Sequence, residues 1–176
     1  MNRNLSRNLR GARGLETGRC LAEALETRWR SYREELRGCR KHFSEEGVHE
    51  LRVAARRLMS QLVLLSCGVR STPIEKARRI LKRRSAALGE LRDTHVQLAA
   101  IAGQTARFPE LTVIHDWLQR RERRLAKSAA KRVRGFQTRK LERWVRAIMQ
   151  DLRSPNRGSR DQRRLTVAVL RATAKA

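Results

Sequence analysis

Apolar residues recur every three or four positions along most of the chain, which is the spacing of helices that bury one face. The first such stretch begins near Thr17, which can act as a cap, and continues to about Lys41. Its in-phase apolar residues are Leu21, Leu25, Trp29, Tyr32 and Leu36. No stretch alternates apolar and polar residues as a half-buried strand does. The pattern therefore predicts an all-α fold.

Caps, prolines and glycines set the ends of the further predicted helices. Ser44 or Gly47 is placed to cap the second helix. Thr72 is placed to cap the third helix, in whose first turn Pro73 fits well. Gly89 interrupts that helix at a cost of about 1 kcal/mol, so we expect a close helix approach there. The predicted helices after the first extend over residues 48–67, 73–102, 109–134, 137–152 and 160–176. Short connections between them favour an antiparallel bundle.

The charge of the chain is strongly positive. Its 42 lysines and arginines exceed its 17 acidic residues by 25, and 35 of the cations are arginines. Self-repulsion at this net charge destabilises the folded state, and a polyanionic partner would relieve it. Arginine in particular suits forked contacts to phosphate or carboxylate oxygens, although a GC-rich genome would also raise its share. The composition therefore favours a protein that binds a polyanion.

Several classes of protein are disfavoured by the same composition. The longest stretch without a charged residue is Thr94 to Ala106, which is shorter than the ~20 residues that span a bilayer. No apolar segment follows the basic amino terminus, so we expect no secretory signal. Cys20, Cys39 and Cys67 are odd in number and widely spaced, which disfavours a disulfide framework. These observations predict a cytoplasmic protein without a membrane segment.

The second predicted helix separates an apolar face from a cationic one. His49, Arg52 and Arg56 are spaced i, i+3 and i+7 on the cationic face, with Arg57 at its edge. Such a row of charges is usually just a solvated helix face. Here only Glu50 is available to pair with it, and a histidine shares the face. The row is therefore a candidate anion-binding site.

Two motifs in this region resemble a known family. The segment VHELRVAARRL, residues 48–58, is similar to the signature of the CHAD domain, the conserved-histidine α-helical domain. A second family landmark is matched by LGELRDTHVQL, residues 88–98. The resemblance implies that the family histidine is His49 and that the arginines of its motif are the three described above. Arg92 and Asp93 match the second landmark.

The resemblance covers roughly residues 18–152 and implies a domain organisation and a function. It implies a CHAD-like four-helix unit over residues 17–152, with long helices, whose basic faces bind inorganic polyphosphate. A flexible basic arm, residues 1–16, is expected before this unit, and residues 153–176 would form a linker and an extra C-terminal helix. A complete CHAD domain resembles two such units in tandem, and only the first is found here. We expect either a homodimer that completes the two-unit architecture or a truncated remnant with reduced function.

The third predicted helix carries a second row of cations, namely Lys76, Arg79, Lys82 and Arg83. If this helix lies beside the second one, the two rows converge on one groove that suits a linear polyanion. Arg92 lies nearer the apolar side and is expected to be a structural ion-pair or hydrogen-bond partner rather than a ligand contact. Arg84 and His95 fall within the apolar stripe, where a histidine is more often a hydrogen-bonded core residue than a functional one.

Catalysis finds little support in the sequence. A zinc site built from Cys39, His42, His49 and Cys67 lacks a second closely spaced pair of ligands. No glycine-rich phosphate loop is present. Acidic residues form no cluster that could hold a catalytic metal ion. We therefore expect a binding protein that uses no cofactor or metal and is not an enzyme.

The main alternative is a basic helical protein that binds DNA or RNA non-specifically. Against it, the seven aromatic residues are expected in core stripes or at helix ends rather than among the cations, where bases would stack on them. The most basic stretch, residues 120–134, has about equal chances of being a binding surface or a solvated helix face.

Overall fold

Six helices form the part of the chain that the structure describes. The structure is a computed structural model, and it describes the backbone of residues 2–68, 71–154 and 167, and the side chains from Glu16 onward within these ranges. The helices are α1 (Asn2–Lys41), α2 (Glu45–Gly68), α3 (Thr72–Ala86), α4 (Gly89–Ala102), α5 (Leu111–Arg134) and α6 (Arg139–Arg153). These ranges contain no strand. The all-α prediction is confirmed.

Four of the helices pack as a closed bundle. α1 lies against α2 and α6, and α3 lies on the other side against the same two helices. α1 and α6 are antiparallel, since Gly18 lies opposite Leu152 and Arg33 lies opposite Glu142. The in-phase leucines that the sequence predicted for α1 and α2 are buried in one core with leucines of α3 and α6. The bundle brings α2 and α3 side by side, as the candidate site requires.

The predicted third helix is in fact two helices. It was expected to continue over residues 73–102, but it breaks at Ala87 and Leu88. α3 packs on α2 and α6, whereas α4 packs mainly on α5, and one straight helix could not reach both sets of neighbours. Leu88 stays buried at the turn. If residue 89 had a Cβ, the nearest atom to it would be Nη1 of Arg52, at 3.7 Å. The close approach expected at Gly89 therefore involves a side chain rather than a helix backbone.

The helix boundaries differ in smaller ways from the predicted ones. Ser44 caps α2 by accepting a hydrogen bond from the backbone N–H of Gly47 at 3.0 Å, as one of the two predicted alternatives requires. Ser71, rather than Thr72, occupies the N-cap position of α3. α5 ends at the predicted residue, before Gly135.

The amino-terminal segment departs from the prediction. α1 begins at Asn2 and not near Thr17, so residues 2–16 of the expected arm are helical. Extending an existing helix avoids the unfavourable nucleation step, which explains how a segment with weak periodicity continues α1. Most of the predicted linker, residues 154–159, and of the predicted last helix, residues 160–176, lies outside the described residues; only Ser154 and Val167 are described there.

α4 and α5 form a hairpin that projects from the bundle. The two helices pack mainly on each other, while α4 also contacts α2 and α3, and α5 also contacts α1. Arg121 pairs with Glu90 at 2.6 Å, and Nε2 of His95 lies 3.4 Å from Oε1 of Glu122. The hairpin leaves several large apolar side chains exposed, namely Val96, Phe108, Val113, Ile114 and Trp117.

Candidate anion-binding grooves

A groove of about 730 Å³ lies between α2 and α3. Four cations line it, and Glu75 is the acid among its lining residues. The lining residues are Arg56, Met59, Ser60 and Val63 from α2, and Glu75, Arg78, Arg79 and Lys82 from α3. The two cationic rows predicted from the sequence therefore meet here, through Arg56 on one side and Arg79 and Lys82 on the other.

The cations of this groove form no ion pair with Glu75 or with any other described residue. Within the described part of the chain, Arg56, Arg78, Arg79 and Lys82 take part in no ion pair and no side-chain hydrogen bond. Like charges close together on neighbouring helices repel one another. The groove is therefore a place where a negatively charged ligand would lower the electrostatic energy of the folded protein.

Arg52 belongs to the predicted site but has a structural contact. Its Nη1 donates a hydrogen bond of 2.8 Å to the carbonyl oxygen of Ser85, which ties α2 to the end of α3. Burial lowers the pKa of the Arg52 guanidinium, the carboxylate of Asp93 opposes this change, and Arg56 and Arg92 add to it. The side chain thus lies where α2, α3 and α4 meet.

The remaining predicted residues lie apart from the lining of this groove. The imidazole of His49 is half-exposed, and its Nε2 is 3.8 Å from Oε1 of Glu50, the acid that the sequence marked as available. Arg57 and Lys76 are exposed on α2 and α3. Arg83 lines a different groove, between α3 and the start of α6. The binding roles of these residues stay predictions.

The groove beside Arg83 contains a residue that the sequence left unexplained. It has a volume of about 290 Å³ and is lined by Ile80, Arg83, Arg84, Gly135, Phe136, Gln137 and Lys140. Arg84 is buried; its Nη1 donates to the hydroxyl of Tyr32 at 2.8 Å and its Nη2 to the carbonyl of Gln137. Its guanidinium carbon lies 5.1 Å from the centre of the Phe136 ring.

Two other predictions for core polar residues can be compared with the structure. Arg92 was expected to be an ion-pair partner, and its Nη1 lies 2.9 Å from Oε1 of Glu45, so this prediction is confirmed. His95 is buried and faces Glu122, as a hydrogen-bonded core histidine would. Its Nδ1 has no hydrogen-bond partner among the described residues.

Some groove residues were missed by sequence reasoning. Arg78 lines the α2–α3 groove but was not among the predicted site residues. Its position four residues before Lys82 on one helix was the signal that could have found it. Lys140 was missed because its proximity to Arg83 depends on the packing of α6 against α3.

The surroundings of the grooves limit the chemistry further. The side chains of Cys39, His42, His49 and Cys67 do not gather into a metal site; across the described residues, no three His, Cys, Asp or Glu side chains are placed to hold a metal ion. Among the helices described, none is long and apolar enough to cross a bilayer.

Trp117 departs from the expectation that aromatic residues lie in core stripes or at helix ends, since it is exposed in α5 beside Arg121.

The motifs and the helical bundle agree with a comparison against known families. The family model for the CHAD domain matches residues 23–176, a range that includes both sequence motifs and the two grooves. The chain belongs to the CHAD domain family. No curated protein and no solved structure matches the chain. CHAD domains are associated with polyphosphate binding.

Proposed function

We propose that this CHAD domain protein binds inorganic polyphosphate in the α2–α3 groove and does so without catalysis. The observation that carries the proposal is the set of four cations that face one another there without ion-pair partners in the described structure. A linear chain of phosphate groups places a negative charge at each repeat, so it can contact cations from both helices along the groove.

The composition of the groove supports polyphosphate over nucleic acid as the ligand. Its apolar lining residues are Met59 and Val63, and none of its lining residues is aromatic. Bases of a bound nucleic acid would have no ring to stack on, whereas polyphosphate has no bases to place. Glu75 is the one carboxylate of the lining, which is fewer than metal-assisted phosphate chemistry uses, and this supports a binding role.

A competition experiment at fixed salt separates polyphosphate from nucleic acid. Long-chain polyphosphate, single-stranded RNA and duplex DNA are offered together to the labelled protein, and the fraction bound to each is measured. We expect polyphosphate to displace both nucleic acids at equal phosphate concentration. Equal displacement by all three polymers would contradict the proposal and would indicate a protein that binds any polyanion through its net charge.

Variants test whether the groove is the site. We expect Arg56→Gln, Arg79→Gln and Lys82→Gln together to weaken polyphosphate binding by about tenfold or more, because charged hydrogen bonds to phosphate are lost. The matched control combines three exposed positions of α5, Arg123→Gln, Arg124→Gln and Lys127→Gln, which remove the same charge. If both triple variants bind polyphosphate equally well, the α2–α3 groove is not the site.

We also propose that two copies of the chain associate, as the two-unit architecture of the family implies. The exposed apolar residues of the α4–α5 hairpin support this proposal, since such side chains are usually covered in an assembly. The cytoplasmic location stays a prediction.

A further inference from the structure

The guanidinium of Arg84 carries a buried charge that no carboxylate of the described residues neutralises. Only 8% of this residue is exposed, and it takes part in no ion pair within the described part of the chain. Its partners are the Tyr32 hydroxyl, the Gln137 carbonyl and the ring of Phe136. These neutral groups orient the guanidinium but supply no net negative charge. A buried charge without a counter-ion is costly, and a bound anion would offset that cost.

The charged residues that line the groove onto which Arg84 opens are all cations. Arg83 and Lys140 are its other charged lining residues, and no acidic side chain lines it. Both residues are exposed and take part in no ion pair among the residues described. An anion in this groove would therefore meet three cations from α3 and α6.

A groove on α6 is a basic surface whose lining includes an acid. It has a volume of about 410 Å³, and its three lining cations are all arginines. Its lining acid, Glu142, lies 2.7 Å from Arg146, which is one of these arginines, and 3.8 Å from Arg33 of α1. The α3–α6 groove also has three lining cations, but no acid lines it. The two grooves therefore differ in the presence of a lining acid and not in the number of cations.

We propose that the α3–α6 groove is a second anion-binding site, which takes one or a few linked phosphate groups. Arg83 and Lys140 contact the anion from the surface, and Arg84 supplies the charge at the base of the groove. α3 separates this site from the α2–α3 groove, because Arg79 and Lys82 face one groove and Arg83 and Arg84 face the other. A long polyphosphate that crosses α3 can therefore occupy both sites. The choice of phosphate oligomers as the ligand rests on the proposed function.

The site is tested by titrating tripolyphosphate into the full chain at fixed salt while following arginine side-chain NMR signals. The Nε–H signal of Arg84 reports the α3–α6 groove, and that of Arg79 reports the α2–α3 groove. We expect a saturable shift at Arg84. Arg83→Gln with Lys140→Gln should weaken the apparent affinity at Arg84 about tenfold, because two charged contacts are lost. The control pair Arg123→Gln with Arg124→Gln should weaken it less than twofold.

The two signals keep this inference separate from the proposed function. If the Arg84 signal does not shift, or if both double variants weaken it equally, the second site is refuted whatever happens at Arg79. If Arg84 shifts and Arg79 does not, the second site stands and the proposal for the α2–α3 groove fails. Arg83 and Lys140 are exposed, so we expect their substitution to leave the fold intact. Equal thermal stability of the two double variants checks this.

Discussion

Some arginine side chains of this protein pair with carboxylates, as Arg92 does with Glu45, and two further groups differ in what they contact. The first group donates hydrogen bonds to backbone carbonyls and holds the helices together; it consists of Arg40, Arg52 and Arg84. Arg40 donates to two carbonyls at the end of α5, that of Val133, which also accepts from the backbone N–H of Phe136, and that of Phe136 itself. The second group lines grooves without such contacts and includes Arg56, Arg78 and Arg79. The net charge is therefore a poor measure of how many cations are available to a ligand.

Arg52 is expected to affect stability more than binding. Arg52→Gln removes the hydrogen bond to Ser85 and should lower the free energy of unfolding by about 1–3 kcal/mol. Arg57→Gln, an exposed position on the same helix, should change it by less than about 0.5 kcal/mol. Urea denaturation of both variants measures the difference. Equal midpoints for the two variants would show that the contact of Arg52 with α3 does not stabilise the fold.

Tyr32 makes the stability of the fold depend on pH in the alkaline range. Burial raises the pKa of the Tyr32 hydroxyl above its usual value, while the charge and the hydrogen bond of Arg84 oppose the increase. The contribution of the protonated Tyr32 hydroxyl to folding stability is fully present below the unfolded-state pKa of about 10. It is lost as the pH rises through the higher pKa of the folded state. Tyr32 is the one tyrosine of the chain, so tyrosinate absorbance reports it alone.

We expect the pH at which half of Tyr32 is tyrosinate, the tyrosinate midpoint, to be higher in the folded protein than in the denatured protein. Arg84→Met should raise the folded midpoint further, because it removes the positive charge that favours tyrosinate. A folded midpoint at or below the denatured one would contradict the burial of this hydroxyl.

At the scale of helices, α1 and α6 approach each other closely at Gly18. A Cβ at Gly18 would overlap the carbonyl oxygen of Leu152, so the two helix backbones can be this close only because the residue is glycine. Gly38 lies on the same helix with nothing within 4 Å of the place where its Cβ would be. The two glycines therefore serve as a matched pair, one required by packing and one not.

Substituting these two glycines should have opposite effects. Gly18→Ala should destabilise the protein by about 1–3 kcal/mol, because α1 and α6 must move apart. Gly38→Ala should stabilise it by up to about 1 kcal/mol, because alanine is the better helix former at an exposed position. Thermal unfolding of the two variants shows the sign of each change. A stabilising Gly18→Ala would mean that α1 and α6 do not pack at this distance.

How much of these elements the sequence predicts depends on whether their cause is local. The cap of α2 at Ser44 and the end of α5 before Gly135 follow from short-range rules, and both agree with the structure. The break before α4 was missed because Leu88 and Leu91 keep the periodicity of α3 across the turn. The apolar stripe placed Arg84 on the buried side of its helix, but its hydrogen-bond partners could not be predicted, because Tyr32 and Gln137 reach it from distant parts of the chain.

At the scale of the whole molecule, the bundle and the hairpin have different surfaces. The bundle carries the two grooves whose cations form no ion pair among the described residues, and both are formed by α3 with a neighbouring helix. The α4–α5 hairpin carries most of the exposed large apolar side chains in the described part of the chain, of which Val113 is the most exposed at 73%. Cations repel a second copy of the same chain, whereas apolar side chains associate in water. An association of two copies is therefore expected at the apolar part of the hairpin, residues 96–117, rather than at the cationic grooves or at the basic stretch 120–134 of α5.

This expectation is tested by the oligomeric state of the protein. Light scattering at micromolar concentration should give the mass of a dimer, and Ile114→Ser with Trp117→Ser should give that of a monomer, because the association loses two of its largest exposed apolar side chains. Val63→Ser removes an exposed apolar side chain from the α2–α3 groove and should leave the dimer intact. A monomeric wild-type protein, or dissociation by Val63→Ser alone, would contradict association through the hairpin.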